Sequence, residues 1–316
     1  MKVLISEAKG YSRKAIDIYR KIGEVIEIDG NLHQIEGVIK DVDILVVKLK
    51  FTFCNNILKR AKKLKYIVTS TTGLNHIKLP NNSKVQIISL KGETEFLNTI
   101  TPTAELTWAL ILNLFRNIPA ALMSVKRKRW EREAFIGREL SNSRLGVIGY
   151  GRLGRMVARF GVAFNMDVVV YDKDPHKKSA LEKGVGFSSL EETLSYSDVV
   201  TVHIPLNDEN VKFLDKEKLS LLKKDSIFIN TSRGEVVDEQ ALLELLVNDH
   251  LAGIGLDVLA DEVSQVRDWI HSNPIINSQY FGTKILVTPH IGGACSTSME
   301  RTEIFVAQKI EALLRD

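Results

Sequence analysis

The sequence predicts an α/β protein made of two domains, each built on a doubly wound parallel sheet. Short apolar runs alternate with helical patterns along the whole chain, which is typical of parallel strands covered by helices. A glycine-rich turn, 149–154, lies near the middle of the chain, close to the start of the second alternating region. With 316 residues, 44% hydrophobic and 26% charged, the chain is long enough for two cores of ordinary composition.

Strands are expected in two groups, one on each side of residue 144. The first five are expected at 2–6, 25–28, 44–47, 66–69 and 85–88, with helices at 13–22 and 55–63. The other six are expected at 145–148, 168–171, 199–204, 227–230, 254–256 and 285–288. A last helix, 296–314, is surplus to the second sheet and is expected to return to the first unit. The predicted domains are therefore 1–100 with 292–316, and 101–291.

An apolar helix is expected between the two groups, from about residue 103 to 115, with Thr103 as its N-cap. Because this helix is apolar nearly all round, we expect it to be buried between domains or between subunits. Pro119 interrupts the pattern, and a basic helical stretch continues to about Trp130. We interpret its basic run, 126–129, as a solvated helix end rather than a nucleic-acid patch, because acidic residues follow closely.

Composition argues against several classes of protein. The net charge of +4 is small for this length, so no nucleic-acid partner is expected. Cys54 and Cys295 form no Cys-x-x-Cys pair, which argues against a disulfide framework and a metal site, and Cys295 is interpreted as a small buried thiol. The early acid Glu7 argues against a signal peptide, and no apolar run reaches the length of a membrane span. We therefore expect a cytoplasmic protein without a membrane partner, and no regulatory extension after its last helix.

The glycine-rich turn predicts a dinucleotide site. Gly149, Gly151 and Gly154 fit Gly-x-Gly-x-x-Gly between an expected strand and an expected helix. The first glycine permits the tight turn, the second lets the backbone approach a pyrophosphate, and the third lets the helix pack on the strand. The helix N-terminus, with Arg152 and Leu153, would present N–H groups to phosphate oxygens. The alternative is a ligand-free turn, which would have to match this spacing by chance.

Asp172 bears on which dinucleotide is bound. It ends the next expected strand, 172 − 154 = 18 residues after the last glycine, near the spacing of a ribose-binding acid. A carboxylate accepts hydrogen bonds from a free 2′-hydroxyl and repels a 2′-phosphate, so NAD is favoured over NADP. The adjacent Lys173 acts in the opposite direction.

Charged side chains follow three strands of the second group. Arg233 comes after the strand at 227–230, Asp257 and Glu262 after the next, and His290 after the last. Because ligands of open α/β sheets bind beyond the carboxyl ends of strands, we expect these side chains to converge near the cofactor.

Six stretches of the chain carry a family resemblance, at 135–140, 149–155, 203–206, 230–242, 255–258 and 288–293. Taken together and in this order, they resemble the D-isomer-specific 2-hydroxyacid dehydrogenases, which include D-3-phosphoglycerate, D-lactate and glyoxylate/hydroxypyruvate enzymes. The resemblance implies a Rossmann NAD-binding domain inserted in a flavodoxin-like substrate domain, and a homodimer. A 2-hydroxy or 2-oxo acid would be the substrate.

The resemblance assigns Arg233, Glu262 and His290 as the catalytic residues. His290 would exchange the hydroxyl proton while hydride moves between C2 and the nicotinamide, since an imidazole can both take and give a proton near neutral pH. Glu262 would orient the ring and favour its charged form. Arg233 would bind the substrate carboxylate through its planar fork. By the same resemblance, the cofactor would also contact Ile204, Pro205, Thr231, Ser232, Asp257, Gly292 and Gly293.

The substrate side of the predicted site is less defined. The loop 70–77 resembles the family's carboxylate-binding loop, so Thr72 and Gly73 are expected to bind substrate, although Thr71 and Asn75 replace the usual glycine and aspartate. Lys48 either contacts the substrate or ends its strand in solvent. We expect an NAD-dependent D-2-hydroxyacid dehydrogenase; the alternative is an NAD(H)-sensing, corepressor-like binding protein. Formate dehydrogenases share the fold but pair the histidine with glutamine, and Glu262 argues against that subgroup.

Overall fold

The computed structural model describes residues 1–260, 262 and 269–315. The chain divides into two compact units. Unit 1 comprises Met1–Ile100 and the chain from Ala294 onward, and unit 2 comprises Thr101–Gly293. Gly292 and Gly293 thus lie in unit 2, two residues beyond the domain boundary given by the sequence.

Twelve strands are formed by the described residues. Those of unit 1 are β1 (Lys2–Ile5), β2 (Glu24–Glu27), β3 (Ile44–Val47), β4 (Tyr66–Thr69) and β5 (Gln86–Ile88). Those of unit 2 are β6 (Arg144–Ile148), β7 (Asp167–Tyr171), β8 (Val185–Phe187), β9 (Val199–Val202), β10 (Ile227–Asn230), β11 (Gly253–Leu256) and β12 (Ile285–Val287). The expected count of six strands in unit 2 is wrong, because β8 has only three residues and shows no usable alternation.

Helices connect these strands. They are α1 (Arg13–Ile22), α2 (Leu32–Val38), α3 (Asn55–Leu58), α4 (Thr94–Leu97), α5 (Pro102–Phe115), α6 (Ile118–Lys126), α7 (Arg152–Ala163), α8 (Leu190–Tyr196), α9 (Lys216–Leu219), α10 (Glu239–Val247), α11 (Trp269–Ser272) and α12 (Ser296–Leu313). Short 3-10 helices lie at Ile39–Asp41, Arg132–Phe135, Pro175–Ala180, Asp208–Asn210 and Gly234–Val236.

Three helix predictions need correction. The helix expected at 55–63 ends at Leu58, and a series of turns buries Ala61 and Leu64 instead. The basic stretch ends at Lys126 rather than near Trp130, since Lys128 takes the left-handed φ of 60° that terminates helices. In α5 the N-cap is Thr101 and not Thr103, because Pro102 occupies the first helical position, where its missing N–H costs nothing.

Both sheets are parallel and doubly wound, which confirms the predicted fold class. Unit 1 has the order β2-β1-β3-β4-β5, and unit 2 has the order β12-β11-β10-β9-β6-β7-β8. The first is the flavodoxin-like order, and the second is the Rossmann order with one further strand at the β12 edge. The strand order reverses between β1 and β3 in unit 1 and between β6 and β9 in unit 2, and ligands bind at such points.

Each sheet is covered by helices on both faces. All four residues of β3 are buried, as are those of β9, β10 and β11, which is why these strands read as continuous apolar runs. In unit 1, α1 and α12 pack together on one face. The final helix therefore belongs to unit 1.

The apolar helix α5 is buried inside unit 2. It packs against α7 and against β10 and β11, and the indole of Trp108 donates to the carbonyl of Val157 at 3.3 Å. The expectation that it is buried between domains or subunits is therefore replaced by burial within one core. No single helix among the described residues is long and apolar enough to cross a membrane, although the bent pair Thr94–Phe115 and Ile118–Lys126 reaches that length and composition jointly.

Candidate active site

The glycine turn after β6 is built for close backbone approach. Gly149 has a left-handed φ of 95°, and a Cβ there would stand 2.7 Å from the carbonyl oxygen of His203. A Cβ on Gly154 would stand 1.9 Å from the carbonyl oxygen of Gly149. At Gly151, in contrast, nothing lies within 4 Å of the Cβ position. The turn therefore leaves open space at the N-terminus of α7, where helix N–H groups favour a phosphate.

Asp172, at the carboxyl end of β7, holds the glycine turn. Its Oδ2 accepts the N–H of Tyr150 at 2.7 Å, and its Oδ1 accepts the N–H of Asp174 at 2.9 Å. A carboxylate has about four acceptor positions, so both oxygens can still accept hydroxyl groups of a ribose. In the first turn of α7, burial lowers the pKa of the Arg152 guanidinium, which remains charged at neutral pH. These features fit a dinucleotide with a free 2′-hydroxyl.

The loop after β12 that carries His290 is fixed by Asp257, at the end of β11. The Oδ1 of Asp257 accepts the hydroxyl of Thr288 at 2.6 Å and the N–H of Ile291 at 2.8 Å, while Oδ2 accepts the N–H of Gly292 at 2.7 Å. Burial raises the pKa of Asp257, and these three hydrogen bonds oppose that rise. His290 itself has a left-handed φ of 52°. A strained backbone at a reactive side chain is often found at functional sites.

His290 and Glu262 form a direct pair. The Nδ1 of His290 lies 2.5 Å from Oε1 of Glu262, and their side chains are 31% and 16% exposed. The other glutamate oxygen accepts the N–H of Leu259 at 3.3 Å. Because Nδ1 is used by Glu262, Nε2 is the ring nitrogen left for an outside group. The pair can thus move a proton at Nε2 while the carboxylate stabilises the charged ring.

Arg233 follows β10 at the same edge of the sheet. Asn230 shapes its turn: the amide nitrogen donates to the carbonyl of Arg233 at 2.8 Å, and Oδ1 accepts the N–H and the hydroxyl of Ser232 at 2.9 and 2.8 Å. One guanidinium nitrogen donates to the carbonyl of Ser232 at 2.6 Å. In the described part of the chain, Arg233 has no hydrogen bond to His290 or Glu262. Its remaining donors suit a planar carboxylate.

The segment after β9 lies over the glycine turn. A Cβ on Gly149 would meet the Cγ2 of Ile204 at 2.9 Å, and the carbonyl of Pro205 accepts the side-chain amide of Asn210 at 2.9 Å. His203 shares a hydrogen bond of 2.9 Å with Thr201 through Nε2, while its Nδ1 is shielded and pairs with no described residue. Burial lowers the pKa of His203 to about 3, so this ring is neutral at physiological pH. The hydroxyl of Thr231 pairs with that of Thr107 at 2.8 Å.

The substrate-binding residues predicted in unit 1 lie after β3 and β4. Thr72 is exposed, and the loop is braced by Thr71, whose hydroxyl donates to the carbonyl of Gly73 at 2.8 Å. Among the described residues, no protein atom accepts the N–H of Thr72 or Gly73. Lys48 is not a free surface lysine: its Nζ lies 2.9 Å from Oε1 of Glu303 in α12.

The sequence did not reveal every residue of these loops. Glu303 and Glu7 hold the chain around Lys48, and Thr288 and Asn230 fix the loops of unit 2. Asn230 and Thr288 begin two of the stretches that carry the family resemblance. The bonds of all four residues depend on spatial neighbours that no spacing in the sequence indicates. Cys295 was interpreted as a buried thiol, and this is wrong because it is exposed just before α12. No group of three or more metal-ligating side chains was found within the described ranges.

Comparison with known proteins identifies the family. Residues 108–292 match the sequence model described as "D-isomer specific 2-hydroxyacid dehydrogenase, NAD binding domain". This match covers more than half of the chain. The chain therefore belongs to the D-isomer specific 2-hydroxyacid dehydrogenases, and unit 2 contains its NAD-binding domain.

Individual relatives agree with this assignment. A D-3-phosphoglycerate dehydrogenase from Methanocaldococcus jannaschii is 31% identical over 100% of this chain and 58% of its own length. A glyoxylate reductase from Pyrococcus furiosus is 30% identical over 88% of this chain and 81% of its own. The crystal structure of a D-lactate dehydrogenase from Aquifex aeolicus, complexed with NAD and lactic acid, has a TM-score of 0.83, 26% identity, and coverage of 100% and 97%. The chain spans little more than half of the phosphoglycerate dehydrogenase.

Proposed function

We propose that this chain is an NAD-dependent dehydrogenase that interconverts a D-2-hydroxy acid and its 2-oxo acid. The observation that carries the proposal is the His290–Glu262 pair, 2.5 Å apart, on the strand edge of the NAD-binding domain. A reaction that moves a hydride to or from C2 also needs a group that takes or gives the hydroxyl proton. NAD, when bound, accepts the hydride, and His290 handles the proton.

Each proposed residue has a defined task. His290 removes the hydroxyl proton through Nε2 during oxidation and returns it during reduction, and Glu262 stabilises the imidazolium that forms. Arg233 binds the substrate carboxylate and draws charge from the 2-oxo group. In unit 1, the N–H groups of Thr72 and Gly73 are proposed to bind a carboxylate, and Lys48 is proposed to face the substrate.

The proposed cofactor contacts are spread over six loops of unit 2. Gly151 and the first turn of α7 would face the pyrophosphate, and Asp172 the ribose. Asp257 would act by fixing the loop after β12, because its carboxylate oxygens are already used there. The remaining proposed contacts are Gly149, Arg152, Leu153, Gly154, Ile204, Pro205, Thr231, Ser232, Gly292 and Gly293.

The experiment that tests the proposal follows NADH oxidation with a panel of 2-oxo acids that includes pyruvate, glyoxylate and hydroxypyruvate. We expect at least one of them to be reduced, with NADPH a poorer donor because of Asp172. NADH binding without turnover of any 2-oxo acid would contradict the proposal. That outcome would support the corepressor-like alternative, which the dehydrogenases and reductases among the relatives do not favour.

We also propose that the protein is a cytoplasmic homodimer that pairs through α6 and the segment after it. Leu122, Val125, Trp130 and Ile136 are 65%, 53%, 88% and 72% exposed, so four large apolar side chains are exposed within one short segment of the chain. Sedimentation at micromolar concentration should give a dimer, and Trp130→Asp should weaken it. Val247→Asp, an exposed apolar residue on α10, is the control. A wild-type protein that sediments as a monomer would contradict the proposed dimer. Cell fractionation tests the cytoplasmic location.

A further inference from the structure

A buried ion pair lies at the point of unit 1 where ligands of doubly wound sheets bind. Lys48 follows β3, and β3 pairs with β1 at the place where the strand order of this sheet reverses. The carboxyl ends of the strands at such a reversal form the usual ligand crevice. The Lys48 side chain is only 17% exposed, and its partner Glu303 is 2% exposed.

Glu303 occupies a position where the surrounding groups could bind an anion. Its Oε1 lies 2.9 Å from Nζ of Lys48, and its Oε2 accepts the N–H of Ser12 at 2.7 Å. Ser12 is the N-cap of the ten-residue helix α1, so the carboxylate lies at the positive end of that helix dipole. An ammonium group beside a helix N-terminus is a donor set that binds phosphate or carboxylate. Here the anion at this position is the carboxylate of Glu303.

The groups around this pair leave Lys48 no spare charge for a ligand. The ring of Tyr11 lies 4.9 Å from Nζ of Lys48, and its hydroxyl is 3.4 Å from that of Tyr19. Burial raises the pKa of Tyr11 and Tyr19, so both phenols are neutral. Glu7 accepts the backbone N–H groups of Lys48 and Lys50 at 3.1 and 3.3 Å. Together with Glu303 it provides two carboxylates near these two lysines.

We propose that Glu303 is an internal counter-ion that determines substrate specificity. By filling the anion position between Lys48 and α1, it repels substrates that carry a second anionic group, such as a phosphate ester. The chain would then act on 2-hydroxy and 2-oxo acids whose group beyond C2 is uncharged. This inference rests on the proposed function and narrows its substrate class.

The kinetic test compares two substrates that differ only in a phosphate, hydroxypyruvate and its 3-phosphate. Wild type should prefer hydroxypyruvate in kcat/KM by about tenfold or more, the size of one lost charged hydrogen bond. Glu303→Gln should shift the ratio toward the phosphate ester by about the same factor, through KM, because Lys48 then lacks its counter-ion. Glu300→Gln is the matched control, because Glu300 lies on α12 like Glu303. This variant breaks only an exposed ion pair with Lys14 of α1 and should leave the ratio unchanged.

A second readout needs no turnover. Inorganic phosphate should raise the thermal midpoint of Glu303→Gln and leave that of wild type and Glu300→Gln unchanged. The double variant Lys48→Met, Glu303→Gln should lose this response, because the cation is gone. If no 2-oxo acid is reduced, the proposed function fails, and the phosphate titration still decides the role of Glu303.

Two results would overturn the inference. One is a wild-type preference for the phosphate ester, which decides the question even if Glu303→Gln does not fold. The other is a folded Glu303→Gln variant with an unchanged substrate ratio and no response to phosphate.

Discussion

The two sheets each place a basic side chain beside a glutamate at the carboxyl ends of their strands, and the two pairs differ in exposure. His290 is 31% exposed and keeps Nε2 for an outside group, whereas Lys48 is 17% exposed and its partner Glu303 is 2% exposed. Glu262 accepts one further N–H, from Leu259 in its own loop, while Glu303 also accepts the N–H of Ser12, the N-cap of α1. The pair in unit 2 therefore leaves a ring nitrogen for an outside group, whereas the carboxylate of the pair in unit 1 is held by Lys48 and by the N-terminus of α1.

The largest expected effect is on turnover, when the His290–Glu262 pair is lost. His290→Ala should lower turnover by about 10²–10⁴, because no other side chain is proposed to handle the hydroxyl proton. Steady-state NADH oxidation measures it, and His271→Ala, on the exposed surface of α11, is the control. Unchanged turnover in His290→Ala would place the acid–base group elsewhere.

Two glycines of the turn after β6 differ in the space around them, and alanine substitutions should separate their roles. Gly154→Ala forces a Cβ against a carbonyl oxygen, so it should destabilise unit 2 by about 1–3 kcal/mol or more, as overpacking does. Gly151→Ala adds a Cβ in open space, so unfolding should be unaffected while NADH binding weakens. Denaturant unfolding and NADH fluorescence titration measure the two properties. A Gly151→Ala variant with full NADH affinity would contradict the proposed pyrophosphate position.

His203 of unit 2 is buried, in contrast to the partly exposed His290. Burial holds the pKa of His203 at about 3, below the value near 6.5 of an unfolded chain. Its contribution to stability is therefore complete above pH 6.5 and is lost as pH falls toward 3. Between pH 7.5 and 5 the loss should be about 2 kcal/mol. The free energy of unfolding of His203→Gln should not show this loss between pH 7.5 and 5. The same pH dependence in wild type and variant would show that His203 is solvated.

The smallest effect is expected for the charge of Glu262. Glu262→Gln keeps a hydrogen-bonding group beside His290 and removes its charge, so turnover should fall by about tenfold. Glu244→Gln, on α10, is the control, since it makes the same change of charge in an exposed ion pair with Lys216. Unchanged turnover in Glu262→Gln would show that the charge of Glu262 is not used in the reaction.

The fold was predictable where one stretch of sequence contains a whole buried strand or a whole glycine-rich turn. The buried strands β3 and β10 have the predicted bounds, and the glycine turn lies between a strand and a helix as expected. Prediction failed at short elements whose stability comes from neighbours: β8 at the sheet edge, and the turns after Leu58 that bury apolar residues without a helix.

The site was predictable to the extent that its residues follow strands. Arg233, Glu262 and His290 each come after a strand of one sheet, and the resemblance assigned them to catalysis. The structure pairs His290 with Glu262, and the catalytic roles stay a prediction. The Lys48–Glu303 pair joins residues 303 − 48 = 255 positions apart, and only the return of α12 to unit 1 brings them together. A sequence pattern cannot reveal the state of a charge that depends on such a distant partner.

The most direct test of the account uses the two enantiomers of one 2-hydroxy acid. Wild-type protein is incubated with NAD and either the D or the L form of the acid that corresponds to its best 2-oxo substrate, and NADH formation is followed. We predict NADH with the D form alone, at a rate that His290→Ala reduces by about 10²–10⁴. Equal rates with the L form, or no NADH from either form by a protein that binds NAD, would contradict it.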